Sequence, residues 1–322
     1  IMNSYFNGNL TDKFRAEFLV RNRFPGVSTK EEIRSAVLDA YRSNTAIAAL
    51  ESSRGLTDIG DLRVACCYAF ADYLYELTGV ITDKPSNDYY SVYSSETSTL
   101  APGVTQTLRS ATSRDGKTLV YYIATADVTR SDVNVYANYK DNIGTPWGMA
   151  RVQDQMEAAR ARHSDPSQPD LYIPNYTPVV GVNADFYNMT NGAPSGALVM
   201  ESVEYHSGSG ANFFAILKDG TPIIGVPSDY AKYKDNIAEA VGGSIMLVRD
   251  GKIVVGSSGN YYDNRASRTC VGITADNRVV LMVMDGRQEP VSAGGSAIEI
   301  AQVMLDAGCV VAINLDGGGS TT

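Results

Sequence analysis

The first third of the chain has apolar residues three and four positions apart, the spacing of a helix with one buried face. The segment KEEIRSAVLDAYRSNTAIAAL, residues 30–50, has this period, and Ser28 or Thr29 is placed to cap its start. The segment IGDLRVACCYAFADYLYELTGV, residues 59–80, predicts a second helix. We therefore expect residues 1–112 to begin as a small helical N-terminal region.

This region is followed by a polar stretch. Residues 81–112 are rich in Ser and Thr and read as a linker or a long extended connection. We place the domain boundary there, so that residues 113–322 form the second domain. In this domain the pattern changes from a helical period to strands and hairpins, with one helix in WGMARVQDQMEAARARH. The strands are expected in TLVYYIATADV, DVNVYANYK and TPVVGVNADF, and two hairpins turn at Asp219-Gly220 and Asp250-Gly251.

The last fifty residues predict a strand pair followed by a crossover helix and a final strand. RTCVGIT and RVVLMVMDG form the antiparallel pair, and Ser296 with Glu299 forms a capping box at the start of the helix. The apolar run CVVAINL is typical of a buried strand. A strand, a crossover helix and a strand normally lie parallel in one sheet, which would bring Asp285 and Asp316 to the same sheet edge. The predicted class is α+β, with mixed sheets, hairpins and this parallel β-α-β unit.

Composition narrows the choice of function. The chain has 322 residues, 44% hydrophobic and 20% charged, as in globular proteins, and its net charge of -9 argues against a nucleic-acid binder. No apolar run reaches the roughly 18 residues of a membrane span, and no signal-peptide pattern precedes the first helix. With two histidines and no Cys-x-x-Cys pair, a zinc site or a Ser-His-Asp triad is not expected. Carboxylates are therefore the expected acids, bases or nucleophiles, in glycosyl transfer or in a hard-metal site.

Three stretches carry candidate chemistry. After Asp316, three glycines and Ser320 leave backbone N–H groups open to an anion or a sugar, while the missing lysine excludes a Walker loop. Asn183 and Asp185 stand beside two aromatic residues, as in a carbohydrate site, although a strand end with an Asx turn explains them equally simply. Arg268 precedes a strand, where a solvated surface arginine is the simpler interpretation.

The stretches VNADFYN, GAPSG, SRTCVGI, MDGRQ and INLDGGGSTT, in this order, resemble the phosphodiester glycosidase family over roughly residues 118–322. The resemblance implies hydrolysis of a sugar-1-phosphodiester that frees the sugar and leaves phosphate on the aglycone, with no cofactor indicated. N-acetylglucosamine is a sugar associated with the family, and the natural sugar of this chain is left open. Family members continue beyond the position of Thr322, so we expect the domain to be C-terminally incomplete. Asp185 departs from the family pattern, in which many members have a glycine. The substrate-binding positions implied by the motifs are Asn183, Arg268, Thr269, Arg287, Gly317, Gly318, Gly319 and Ser320.

The resemblance leads to a secreted or cell-surface hydrolase that acts on phosphorylated sugars in an envelope polymer or glycan. Asp316 is the first choice for the carboxylate that acts on the anomeric carbon, with Asp185 or Asp285 second, and Arg268 and Arg287 are suited to the phosphate. Two alternatives stay open: a non-catalytic carbohydrate-binding envelope protein, and a phosphodiesterase in which the three aspartates bind a divalent metal. The oligomeric state is left open.

Overall fold

The structure is a computed structural model that describes residues 29–53, 60–78, 89–140, 146–169, 171–207, 210–255 and 264–322, with Ala16, Val20, Phe24, Val27 and Asn87. The chain divides into two compact units, residues 1–96 with 109–114 and residues 97–108 with 115–322. The described part of the first unit is largely helical and that of the second is rich in strands, as the change of period predicts.

The described ranges of the first unit contain three helices, and the first and third of them pack in one apolar cluster. Thr29 caps the first helix: its hydroxyl accepts from the Glu32 N–H at 3.2 Å, and the Glu32 carboxylate accepts from the Thr29 N–H at 2.9 Å. Ile33 and Val37 pack with Ala71 and Leu74 in one apolar cluster. The helices are α1 (Lys30–Arg42), α2 (Thr45–Ser53) and α3 (Gly60–Thr78).

Most of the predicted Ser/Thr-rich linker forms two strands, β1 (Tyr90–Ala101) and β2 (Val104–Ser113). Its hydroxyl side chains take part in pairing, since the Thr97 and Thr107 hydroxyls lie 2.8 Å apart in a cross-strand hydrogen bond. The Ser/Thr-rich composition of this stretch therefore reflects strand pairing and not an unstructured connection.

A large sheet forms one layer of the second unit. Its strands are neighbours in the order β3, β12, β11, β13, β9 and β10. The predicted turns at Asp115, at Asp250 and between residues 275 and 277 connect its hairpins, which confirms these predictions. The strands are β3 (Thr118–Ala126), β9 (Met246–Arg249), β10 (Lys252–Ile253), β11 (Arg268–Thr274), β12 (Val279–Met284) and β13 (Cys309–Asn314).

A small sheet forms the second layer, with strands in the order β5, β4, β8, β6 and β7. Phe214 and Ile216 of this sheet pack against Val271 and Ile313 of the large sheet, so one apolar cluster of this unit lies between the sheets. The strands are β4 (Leu198–Met200), β5 (Val203–His206), β6 (Asn212–Leu217), β7 (Pro222–Gly225) and β8 (Ile237–Gly243); the helices are α4 (Val152–His163), α5 (Pro227–Tyr233) and α6 (Ala297–Asp306).

The predicted β-α-β unit is present, with one strand inserted into it. Both β12 and β13 pair antiparallel with β11, so they run in the same direction on either side of it. Helix α6 connects them, and its Ser296 N–H donates to the Glu299 carboxylate at 2.9 Å, as the capping box requires. The α+β class is confirmed.

Two strand predictions are wrong. Residues 132–140 and 177–186 are not strands in the structure, although their sequences are rich in β-formers. The backbone of these segments makes isolated bonds and no strand ladder. For example, the Ala137 N–H donates to the Glu239 carboxylate at 3.0 Å, and the Ala184 carbonyl accepts from the Asp316 N–H. A strand needs a partner strand along its length, which local propensity cannot supply.

None of the helices in the described ranges is long and apolar enough to cross a bilayer.

Candidate active site

The carboxyl ends of β12 and β13 lie at one end of the large sheet. The register pairs Met284 of β12 with Arg268 of β11, and Asn314 of β13 with Cys270. Asp285 and Asp316 follow these strands, so both reach the same edge, as predicted. Because β11 lies between them, their strands are two strand spacings apart, about 10 Å.

The segment directly before Asp185 contacts Asp316. The Asp316 N–H donates to the Ala184 carbonyl at 2.7 Å, and the Asn183 side-chain amide donates to the Asp316 carbonyl at 2.9 Å. One Asp316 carboxylate oxygen accepts from the Gly317 N–H at 2.8 Å. The fold therefore places the Asp316 backbone beside residues 183 and 184, directly before Asp185, the position that departs from the family pattern.

The Asp185 carboxyl lies in a narrow, largely buried position. It accepts from the Gly196 N–H, and a Cβ atom built on Gly242 would lie 2.5 Å from its Oδ2 atom. Burial raises the pKa of Asp185 to about 6, while hydrogen bonds from the backbone N–H groups of Gly196, Phe186 and Ser195 oppose this shift. Asp185 is therefore suited to hold a proton near neutral pH.

Asp285 has different surroundings. Its N–H donates to the Val120 carbonyl at 3.0 Å, and its own carbonyl accepts from the Ser292 hydroxyl at 2.7 Å. Burial raises the pKa of Asp285, and burial together with the Asp285 charge raises the pKa of Tyr122 on β3. Asp285 is absent from the cavity wall that Asp185 and Asp316 line.

The two predicted phosphate-binding arginines differ in exposure. The Arg268 side chain is 5% exposed, and its guanidinium donates to the Gly295 carbonyl at 3.1 Å and to the Asn264 carbonyl at 2.8 Å. Arg287 is exposed, and its Nη1 atom would lie 3.6 Å from a Cβ atom built on Gly318. Arg287 is therefore the better placed cation for an anion at the glycine loop, and the phosphate role of Arg268 stays a prediction.

The glycine loop uses most of its own N–H groups. Gly317 donates to Asp316, Gly318 to the Ser267 carbonyl at 2.9 Å, and Ser320 to the Gly317 carbonyl at 3.3 Å. The Ser267 hydroxyl in turn donates to the Gly318 carbonyl at 2.7 Å. Gly318 has a φ of +63°, a conformation that favours glycine. These contacts make the loop a rigid support beside Asp316 more than an open anion cradle.

A cavity of about 1160 Å³ adjoins these residues. Its wall includes Asn183, Asp185, Asp316 and Ser320, and another part of the wall is apolar. The volume exceeds the roughly 300–1000 Å³ of a typical small-ligand pocket, so the cavity has room for a sugar together with part of its aglycone. The apolar part is lined by Phe214, Val241, Val271, Leu281 and Leu315.

Sequence reasoning missed two residues of this region. Ser267, which supports the glycine loop, lies in the motif SRTCVGI, but a hydroxyl before a strand gives no signal of its own. Glu239 lines the cavity and accepts from the N–H groups of Ala137 and Glu201 at 3.0 Å each, and burial raises its pKa to about 7. A single acidic residue within an apolar strand, in IAEAVGG, was the available signal.

The described residues include no group of three or more His, Cys, Asp or Glu side chains arranged to hold a metal ion. Asp185, Asp285 and Asp316, the three aspartates suggested as metal ligands, do not form such a group there, and β11 separates the strands that Asp285 and Asp316 follow.

Sequence comparisons match the part of the chain that contains the candidate site. Residues 176–322 match the family model described as phosphodiester glycosidase. The human N-acetylglucosamine-1-phosphodiester alpha-N-acetylglucosaminidase is 29% identical over 161 residues, covering 44% of this chain and 31% of the relative; the bovine enzyme is also 29% identical, over 44% and 30%. The chain thus spans about a third of the length of these curated relatives.

Solved structures agree at the level of the fold. The zebrafish N-acetylglucosamine-1-phosphodiester alpha-N-acetylglucosaminidase catalytic domain, auto-inhibited by pro-peptide, has a TM-score of 0.55 and 19% identity, covering 73% of this chain and 77% of that one. A hypothetical protein from Synechocystis has a TM-score of 0.51 and 14% identity, covering 71% and 59%. At these identities the likeness shows a shared fold alone. The family resemblance drawn from the motifs is confirmed: residues 176–322 match the phosphodiester glycosidase family.

Proposed function

We propose that this protein is a glycosidase-type hydrolase that cleaves the glycosidic C–O bond of a sugar-1-phosphodiester. The observation that carries the proposal is that Asp185 and Asp316 line one cavity, with the Asp316 N–H bonded to the carbonyl of Ala184, the residue before Asp185. The names of the human and bovine relatives support N-acetylglucosamine as the sugar.

In this proposal the two aspartates have different tasks. The Asp316 carboxylate acts on the anomeric carbon, as nucleophile or as base for water, against an oxocarbenium-like transition state. The C–O bond breaks with its electron pair on the phosphate oxygen, and the hydroxyl group of water ends on the sugar. Asp185, with a pKa of about 6, is the group that donates or receives the accompanying proton. Arg287 attracts the leaving phosphate, which is already a good leaving group.

The test is hydrolysis of UDP-N-acetylglucosamine or a synthetic sugar-1-phosphodiester in oxygen-18 water. We expect the label in the sugar, because water attacks carbon. Label in the phosphate would instead identify P–O cleavage and overturn the proposed reaction. Saturable binding of the same compounds without turnover would support the non-catalytic carbohydrate-binding alternative.

We further propose that the natural substrate is an envelope polymer or glycan and that the protein acts outside the cell or at its surface. The support is the phosphodiester linkage that the relatives' names specify. Incubation of purified phosphodiester-linked envelope polymer with the protein should release free sugar; a protein that hydrolyses only small phosphodiesters would contradict this assignment.

A further inference from the structure

We propose that Asn183 and Thr269 are positioning residues, which hold the Asp316 carboxylate in place instead of binding the substrate. The inference rests on the proposed function of Asp316. The motifs imply that both residues bind the substrate, and the positioning role replaces that one. It follows from a chain of contacts that connects β11, the segment before Asp185 and the loop after β13.

One dipeptide, Asn183-Ala184, holds both peptide groups of Asp316. The Ala184 carbonyl accepts from the Asp316 N–H at 2.7 Å, and the Asn183 side chain donates to the Asp316 carbonyl at 2.9 Å. Restraint on both sides of the Cα atom fixes the backbone torsions and therefore the direction in which the side chain leaves the backbone.

Thr269 sets the orientation of the Asn183 side-chain amide. The Thr269 hydroxyl donates to Asn183 Oδ1 at 2.6 Å, so the donor end of the amide faces the Asp316 carbonyl. The Thr322 N–H donates to the same oxygen at 3.2 Å. Both acceptor positions of Oδ1 are therefore used within the protein, which leaves no acceptor on the Asn183 side chain for a sugar hydroxyl.

Thr269 is out of reach of a ligand. Its side chain is 0% exposed, and its carbonyl accepts from the Leu315 N–H at 2.8 Å, next to Asp316. Thr269 can affect the reaction only through Asn183 and the adjoining strand. A residue that substrate cannot touch should change kcat and leave KM nearly unaltered.

The experiment compares Thr269→Val, which keeps the shape but removes the hydroxyl, with Thr269→Ser, which keeps the hydroxyl. Since a displacement of about 1 Å at a reacting group can cost about a hundredfold, we expect Thr269→Val to lower kcat ten- to a hundredfold with KM changed less than twofold. Thr269→Ser should recover most of this loss. The matched control is Thr274→Val at the other end of β11, where the lost hydroxyl is bonded to Asp276; kcat should stay within twofold.

A double-mutant cycle identifies the route. If Thr269 acts through Asn183, Thr269→Val should cost little further kcat in an Asn183→Ala background. If the kcat losses of the two single variants multiply in the double variant, the positioning role is wrong. A rise in KM with unchanged kcat would overturn it as well. If the wild-type protein does not hydrolyse the phosphodiester, the proposed function fails separately. Crystal structures of Thr269→Val and Thr269→Ser then decide the inference: a rotated Asn183 amide and a displaced Asp316 only in the valine variant support it, and an unchanged Asp316 refutes it.

Discussion

Replacement of Asp185 with asparagine should change the pH dependence of stability in a direction opposite to that of most aspartates. The carboxyl is buried beside Gly242 and accepts from the Gly196 N–H. Asparagine has nearly the same shape and cannot ionise. It has one acceptor oxygen in place of two, so it also loses hydrogen bonds, but that loss does not vary with pH. The pH-dependent part of the difference between the two proteins therefore reports the ionisation of Asp185 alone.

The magnitude follows from the shift of the pKa. Burial raises the pKa of Asp185 from 3.8 to about 6, and each pKa unit corresponds to about 1.4 kcal/mol. The folded protein therefore holds the proton more tightly than the unfolded chain. This stabilisation is complete below pH 3.8 and is lost as the pH rises through about 6. Between pH 3.5 and pH 8 the wild type should lose about 3 kcal/mol relative to Asp185→Asn.

The measurement is urea unfolding of both proteins at half-unit steps across this range, followed by a probe in the second unit. A carboxyl carbon NMR titration of Asp185 gives the folded pKa independently. The matched control is Asp219→Asn in a hairpin turn, because hydrogen bonds from Thr221 lower the pKa of Asp219. The stability contributed by Asp219 is lost as the pH falls, so the control difference should change in the opposite direction.

A difference in unfolding free energy that is constant with pH would refute the burial argument, since it would mean that Asp185 has an ordinary pKa in the folded protein. The consequence for catalysis is tested separately. If the proton of Asp185 is required, kcat/KM of the wild type should fall tenfold per pH unit above about 6, and the asparagine variant should lack that limb.

Three further predictions concern neighbouring residues. Asp316→Asn should lower kcat on a sugar-1-phosphodiester at least about a hundredfold with an unchanged unfolding midpoint; near-normal turnover would remove Asp316 from the reaction. Arg287→Ala should weaken kcat/KM about tenfold for the phosphodiester but not for an uncharged aryl glycoside, and equal losses on both would exclude a phosphate role. Gly242→Ala should destabilise the protein by about 1–3 kcal/mol, because the added Cβ meets Asp185 Oδ2 at 2.5 Å. Addition of Asp185→Ala should relieve part of that cost, since the Gly196 Cα atom at 2.7 Å remains, and fully additive losses measured by urea unfolding would show that the contact with Asp185 is not a cause.

Local sequence was enough to predict features that depend on neighbours in the chain. The capping boxes at Thr29 and Ser296 were predictable because the interacting groups are three residues apart. The hairpin turns were predictable because Asp-Gly steps adopt the backbone conformation that such turns require. The alternation of strand and crossover helix also placed Asp285 and Asp316 at one sheet edge, since a crossover returns the chain in the same direction.

The tertiary structure alone decided which segments lie beside Asp316. The insertion of β11 between β12 and β13 separates the strands that Asp285 and Asp316 follow, while the irregular segment around Ala184 contacts the Asp316 backbone. Propensity and periodicity describe one segment at a time, whereas these contacts join residues more than a hundred positions apart or depend on which strand lies between two others. The motifs therefore predicted the residues of the site, and the fold determined their partners.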